Sequence, residues 1–185
     1  MIYNASESEQ KAVLDVAAMM CAAARTAPKT KGIDNIITVI VTGDDLNALS
    51  DKMIEVGLRE FGTTETHFTR DAMNVRNSKA VVLIGVKRSH YGLPYCSLCG
   101  FENCDACSKS GASCVFSPID LGIALGSAVS VAADHRIDNR IMFSVGKAAE
   151  EMGYTEEAVI WQGIPLNASG KNIYFDRKPS SAKKS

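Results

Sequence analysis

Five of the six cysteines in this 185-residue chain lie between positions 96 and 114. Cys96 and Cys99 form one C-x2-C pair, Cys104 and Cys107 form a second, and Cys114 follows a short way on. Two thiols spaced by two residues can converge from one tight turn on a metal, which replaces their protons as it binds. Gly100, directly after the first pair, can take a positive φ, fold the chain back and turn backbone N–H groups toward sulfur. The stretch reads as a metal site in which Cys96, Cys99, Cys104 and Cys107 ligate one centre. Cys114 lies beyond Lys109, Gly111 and Ala112, a flexible connection that no paired spacing holds toward the site. It is therefore expected not to be an obligatory ligand.

Several chemistries are open to such a cluster: a disulfide framework, reduced thiols without metal, structural zinc, or an iron–sulfur cluster. Disulfides fit least, because this is not a short secreted domain and no export signal precedes it. Zinc suits four thiolates, but zinc ribbons usually carry their pairs on separate hairpins, whereas only Gly100 to Asn103 separate these two. So compact a loop wraps more easily around a bulky cluster. The run C-x4-C-x2-C from Cys99 through Cys104 to Cys107 also echoes plant-type ferredoxin spacing. The expected cofactor is an iron–sulfur cluster, with zinc as the alternative.

Composition limits what the rest of the chain can do. Hydrophobic residues make up 46%, charged residues 22%, and the formal net charge is −1, which offers no basic field for nucleic acid. The apolar run from Val13 to Ala24 is broken by Asp15 and is shorter than the roughly 20 residues of a membrane span. A soluble, cytoplasmic protein is expected, with no nucleic-acid or membrane partner. The length suits a single domain over 1–177, with the cysteine loop at 94–116 and a disordered basic tail at 178–185. No Ser-His-Asp arrangement, P-loop, Rossmann glycine fingerprint or H-E-x-x-H motif occurs. His67, His90 and His135 share no ligand spacing, and only His90 lies near the cysteines.

These groups need elements to position them. Ser6 to Glu9 reads as a capping box opening an apolar helix to about Arg25, central and buried, with Cys21 as a small hydrophobe within it. The run 35–42 reads as a strand buried on both faces, and Asp44-Asp45 caps a helix that Gly62 stops. A short helix covers Arg70 to Arg76. Ala80 to Val86 is a second buried strand, whose C-terminal end carries the metal loop. Ser117 as N-cap, Pro118 at the first helical position and Asp120 in the first turn start a long helix to about His135. Gly122 and Gly126 leave one face of it bare for close packing, by a helix or a flat ligand. A strand over Arg140 to Val145, a helix over Lys147 to Met152 and a strand over Ala158 to Gln162 complete the order. Elements so continuously apolar predict a homodimer.

This order resembles the nitroreductase-like flavoprotein fold. The likeness is carried by Ala23-Ala24-Arg25-Thr26-Ala27-Pro28 before a strand, by Asp120-Leu121-Gly122-Ile123-Ala124 in the long helix, and by Gly163-Ile164-Pro165 after the last strand. With the four paired cysteines inserted before the long helix, the chain looks more closely like a prokaryotic family described as ferredoxin-domain-containing proteins. The resemblance implies an α/β (α+β) fold with a central mixed sheet flanked by helices. It also implies FMN at a dimer interface, with Arg25, Lys29, Thr30 and Lys31 near the flavin and Arg177 near its phosphate. Two functions follow. One is a redox protein, with an electron-transfer partner, passing electrons through the cluster to a flavin and on to a small acceptor; the other is a non-catalytic protein whose thiolates form a zinc clamp.

Overall fold

The computed structural model describes residues 2–155 and 159–175. A sheet lies between two helical layers. Its strands are β1 (Ile36–Val41), β2 (Ala80–Lys87), β3 (Asp138–Asn139) and β4 (Val159–Asn167), in the order β1-β2-β4-β3. All three pairings are antiparallel, which corrects the expectation of a mixed sheet for the described residues. Helices α1 (Ala5–Thr26) and α5 (Phe116–Asp134) cover one face; α2 (Asp45–Phe61), α3 (His67–Arg76) and α6 (Phe143–Met152) cover the other. The remaining helix, α4 (Cys104–Lys109), belongs to the cysteine loop.

The alternation of side chains in β2 builds both cores. Ala80, Val82, Ile84 and Val86 face α1 and α5, joining Val13, Met20, Leu121 and Ala128. Val81 and Leu83 face α2 and α6, joining Leu49, Met53, Val145 and Trp161. β2 is thus the strand buried on both faces, as its unbroken apolar run predicts. β1 has the same kind of sequence but is an edge strand, and Ile40 is exposed. Composition reports that a strand is apolar; its place in the sheet decides how much of it is covered.

Several boundaries move for identifiable reasons. The cap of α1 is Asn4, whose side chain accepts from Glu7 N while Glu7 reaches back to Asn4 N, both at 2.9 Å. Asparagine two residues upstream displaces Ser6 and Glu9 from that role. α1 is also not covered all round: Val13, Val16, Ala17, Met20 and Ala24 are buried, whereas Ala18, Met19 and Ala22 are exposed. α3 begins at His67 because Thr66 accepts from Thr69 N. The strand expected over 140–145 does not form: β3 lies just upstream at 138–139, Met142 makes only a bridge with Gly163, and α6 takes over from Phe143. β4 continues through Gly163-Ile164-Pro165 to Asn167. Gly163 exchanges both backbone bonds with Met142 on the side away from β2. Two residues on, Pro165 turns its ring nitrogen to that same side, where β3 reaches only Leu166 and Asn167, so no ladder bond is lost.

α5 starts two residues earlier than the Ser117 cap predicts, after Val115 and without any side-chain cap. Ser117 and Asp120, read from sequence as start signals, are instead buried inside its first turns. Gly122 and Gly126 face open space, with nothing within 4 Å of where a Cβ would stand, so among the described residues no helix packs on the bare face. α5 is long and apolar enough, by length and composition, to cross a membrane. Here its Leu121, Ala124, Leu125, Ala128 and Ala132 are buried in the core beneath α1.

Candidate metal centre

The cysteine loop leaves the end of β2 and returns to the start of α5, and four consecutive residues close its base. Arg88 Nη1 donates to Ser113 Oγ at 3.1 Å. Ser89 exchanges two bonds with Ser117: its N–H donates to Ser117 Oγ at 3.4 Å, and Ser117 Oγ donates to Ser89 O at 3.2 Å. His90 Nε2 lies 3.0 Å from Ala112 O, and since a carbonyl only accepts, that nitrogen carries the proton. Tyr91 donates its hydroxyl to Asp120 Oδ2 at 2.8 Å. These contacts hold 88–91 against 112–120. His90, the one histidine singled out by sequence, is thus a brace of the loop, while His67 packs among Phe61 and Phe68.

Within the loop, Gly100 takes φ +82° as its position after the first pair predicts, although its N–H bonds to Ser97 O at 3.0 Å rather than to sulfur. Asn103 caps α4 by accepting from Ala106 N at 2.9 Å. One turn of helix then sets Cys104 and Cys107 three residues apart on one side. A cavity of about 140 Å³ opens between loop and helix start, walled by Cys96, Cys99, Cys104 and Cys114 together with Leu93, Pro94 and Val115. Cys107 is fully buried beside it and Cys114 is only 4% exposed. The structure therefore brings all five clustered cysteines together. Cys114 is not left on a loose connection: its carbonyl accepts from Ser117 N at 3.1 Å, and the residues on either side of it belong to the braced base.

Burial raises the Cys107 thiol above its ordinary pKa, and Cys99, through hydrogen bonding and charge, raises it further, as do Cys114 and Cys104. Crowded thiols each oppose a second negative charge. A metal must displace these protons, so uptake of zinc or iron by the reduced apoprotein at limiting metal is expected to strengthen between about pH 6 and about pH 8. Titration against a chelator of known affinity measures this, and a pH-independent affinity would refute it. The donor set fits a thiolate-bound metal: all-sulfur, gathered around one cavity, with an entry path past half-buried Cys96, Cys99 and Cys104.

The turn after α1 lies next to this base. Lys29 Nζ donates to Ala27 O at 2.9 Å and to Arg25 O, closing the end of α1, and its side chain is almost wholly buried. Thr30 gives both its donors to Asp120: its N–H lies 3.0 Å and its hydroxyl 2.8 Å from Oδ1. Lys31, at φ +57°, donates to Tyr91 O at 3.1 Å. Arg25 pairs with Asp34 at 2.6 Å and stays half exposed. The polar groups of Lys29, Thr30 and Lys31 are thus committed within the chain, and Arg177 and the tail at 178–185 lie outside the described residues.

Sequence reading missed Asp120 and Tyr91. Asp120 is 2% exposed and receives Thr30 on one oxygen and Tyr91 on the other, and Asn35 Nδ2 donates to the Tyr91 hydroxyl at 3.2 Å. Burial raises the Tyr91 pKa, offset in part by Asn35. This buried group joins the turn after α1, the stem of the cysteine loop and the first turn of α5. The signal available in sequence was a carboxylate in an otherwise apolar helical stretch, which helix-start chemistry explained equally well.

Similarity to known proteins agrees with this architecture. The chain resembles a nitroreductase family protein from Clostridium novyi NT at a TM-score of 0.58 and 16% identity, over 86% of this chain and 77% of that one. It resembles a putative nitroreductase in complex with FMN from Desulfovibrio desulfuricans at a TM-score of 0.56 and 12% identity, over 89% and 79%. A BluB-like flavoprotein from Clostridium difficile 630 gives a TM-score of 0.56 at 18% identity, over 90% and 84%. At such identities the likeness is one of fold, and the fold is nitroreductase-like. The family profile described as "Uncharacterized protein containing a ferredoxin domain" (DUF2148) matches residues 110–177, from just before Cys114 onward. A protein of Archaeoglobus fulgidus, named "Uncharacterized protein", is 42% identical over 187 aligned positions, covering 97% of this chain and 99% of that one. Sharing that sequence nearly end to end, and matching the profile through α5 and β4, the chain belongs to the family of ferredoxin-domain-containing proteins.

Proposed function

We propose that this is a redox protein whose cysteine loop holds an iron–sulfur centre and which exchanges electrons with FMN bound near the turn after α1. The observation that carries the reading is the cavity. A single zinc ion needs four sulfurs at about 2.3 Å from one point. The thiols stand instead around the walls of a 140 Å³ space, as a group of several atoms requires. The family description names a ferredoxin domain, and one of the fold neighbours is a complex with FMN.

An iron–sulfur centre supplies single-electron transfer at a potential set by its ligands, hydrogen bonds to sulfur and exposure. The chain's own part is positional. Buried Cys114 sets the inner wall with Cys107 buried beside it, while half-buried Cys96, Cys99 and Cys104 leave an outer side facing solvent and a partner. The Asp120 group holds the turn at 29–32 at a fixed distance from the loop stem. Anaerobic purification followed by visible spectroscopy and iron, sulfide and flavin analysis tests the reading. A brown protein with matched iron and sulfide and extractable FMN is expected. A colourless protein with one zinc per chain would replace it with the zinc clamp.

The reading includes a homodimer. Ile119 and Ile123 are each 41% exposed on the bare face of α5, and Met19 of α1 is exposed to the same degree. A second copy would cover these side chains and use the open space over Gly122 and Gly126. Ile123→Glu is expected to convert the dimer to a folded monomer, read by light scattering. A parent protein that is monomeric at every concentration removes this part.

A further inference from the structure

We infer that Cys114, in place of Cys96, is the fourth ligand of the centre, so that Cys99, Cys104, Cys107 and Cys114 hold the metal and Cys96 remains a free thiol on the cavity wall. The inference rests on the metal-centre reading above and concerns which thiols serve it. Cys99, Cys104 and Cys114 line the cavity, and Cys107 is fully buried beside them, its thiol toward Ala112 O at 3.8 Å. Cys114 is held as a ligand should be. It is buried at the foot of α5, and the residues around it are pinned by Arg88, Ser89 and His90. Cys96 sits differently, between Tyr95, which is fully exposed at φ +53°, and Ser97 at φ +42°. The order Cys99-x4-Cys104-x2-Cys107, followed downstream by Cys114, also gives the plant-type run the fourth cysteine that the sequence lacked when Cys96 was counted in its place. On binding, each of the four thiols releases its proton to solvent as its sulfur bonds metal, and Cys96 keeps its own.

Two measurements on the full chain test this. Iron and sulfide are counted after anaerobic reconstitution of the parent, Cys96→Ser, Cys114→Ser and Cys114→Ala, with circular dichroism confirming that each variant folds. Cys96→Ser should retain the parent's iron, and both Cys114 variants should retain at least about tenfold less. The second needs no variant: the metal-loaded parent is alkylated and each cysteine's modification read by mass spectrometry. Cys96 should label while Cys99, Cys104, Cys107 and Cys114 are protected until a chelator is added. Full iron in a folded Cys114 variant, or protection of Cys96 with labelling of Cys114, overturns the inference. If the parent takes up zinc and not iron, the redox reading fails while the alkylation pattern still decides the ligands. A parent that binds neither metal overturns both.

Discussion

Replacing Asp120 with alanine is expected to lower stability by about 3 kcal/mol, which in a chain of this size moves the thermal midpoint down by roughly 10 °C. The carboxylate is 2% exposed and takes donors from the Thr30 amide, the Thr30 hydroxyl and the Tyr91 hydroxyl. Removing it leaves those donors without an acceptor in a site that water reaches poorly, which costs more than the bonds themselves contribute. Asp120→Asn should recover part of the loss. Its oxygen can serve Thr30, and the Tyr91 hydroxyl can rotate to accept from the new amide. The effect should also be local: hydrogen exchange should quicken at 29–32 and in the loop stem while the amides of β2 keep their protection. An alanine variant melting within about 2 °C of the parent would show that the carboxylate is not structural.

Gly146→Ala is expected to cost about 3 kcal/mol, at the upper end of ordinary overpacking. A Cβ there would stand 2.0 Å from Trp161 O and 2.6 Å from its carbonyl carbon. What it meets is the backbone of β4, fixed by pairing with β2 along its length, so no flexible side chain can give way. The cost is steric alone, since alanine is otherwise preferred in a helix by about 1 kcal/mol. Gly163 is the matching contact from the other side, where a Cβ would meet Val145 Cγ1 at 2.1 Å. Urea denaturation followed through Trp161, the chain's single tryptophan, measures the loss and samples the contact itself. An unchanged midpoint would mean that α6 can move off β4 at no cost.

The sequence by itself determined whatever depends on near neighbours. Two C-x2-C pairs with a glycine after the first define a thiol-rich loop, and Gly100 takes the positive φ its place requires. The apolar run from Ala80 to Val86 is the doubly covered strand, and Gly62 ends α2 in the left-handed conformation. These signals are local: chain stiffness, side-chain period and steric freedom act over a few residues. The tertiary structure alone decided the rest. Nothing in 36–41 distinguishes an edge strand from a central one, because coverage is set by strand order. The stretch from Phe143 becomes helix because Gly146 and Val145 fit the backbone and glycine of β4, contacts no window on 140–145 contains. Ser117 and Asp120 carry the pattern of a helix start, yet their partners are Ser89, Tyr91 and Thr30, the last 90 residues away. Cys114 lacks paired spacing and reaches the cavity because α5 and the end of β2 hold it there. Which residue a buried oxygen or sulfur meets depends on chain segments that only folding brings together.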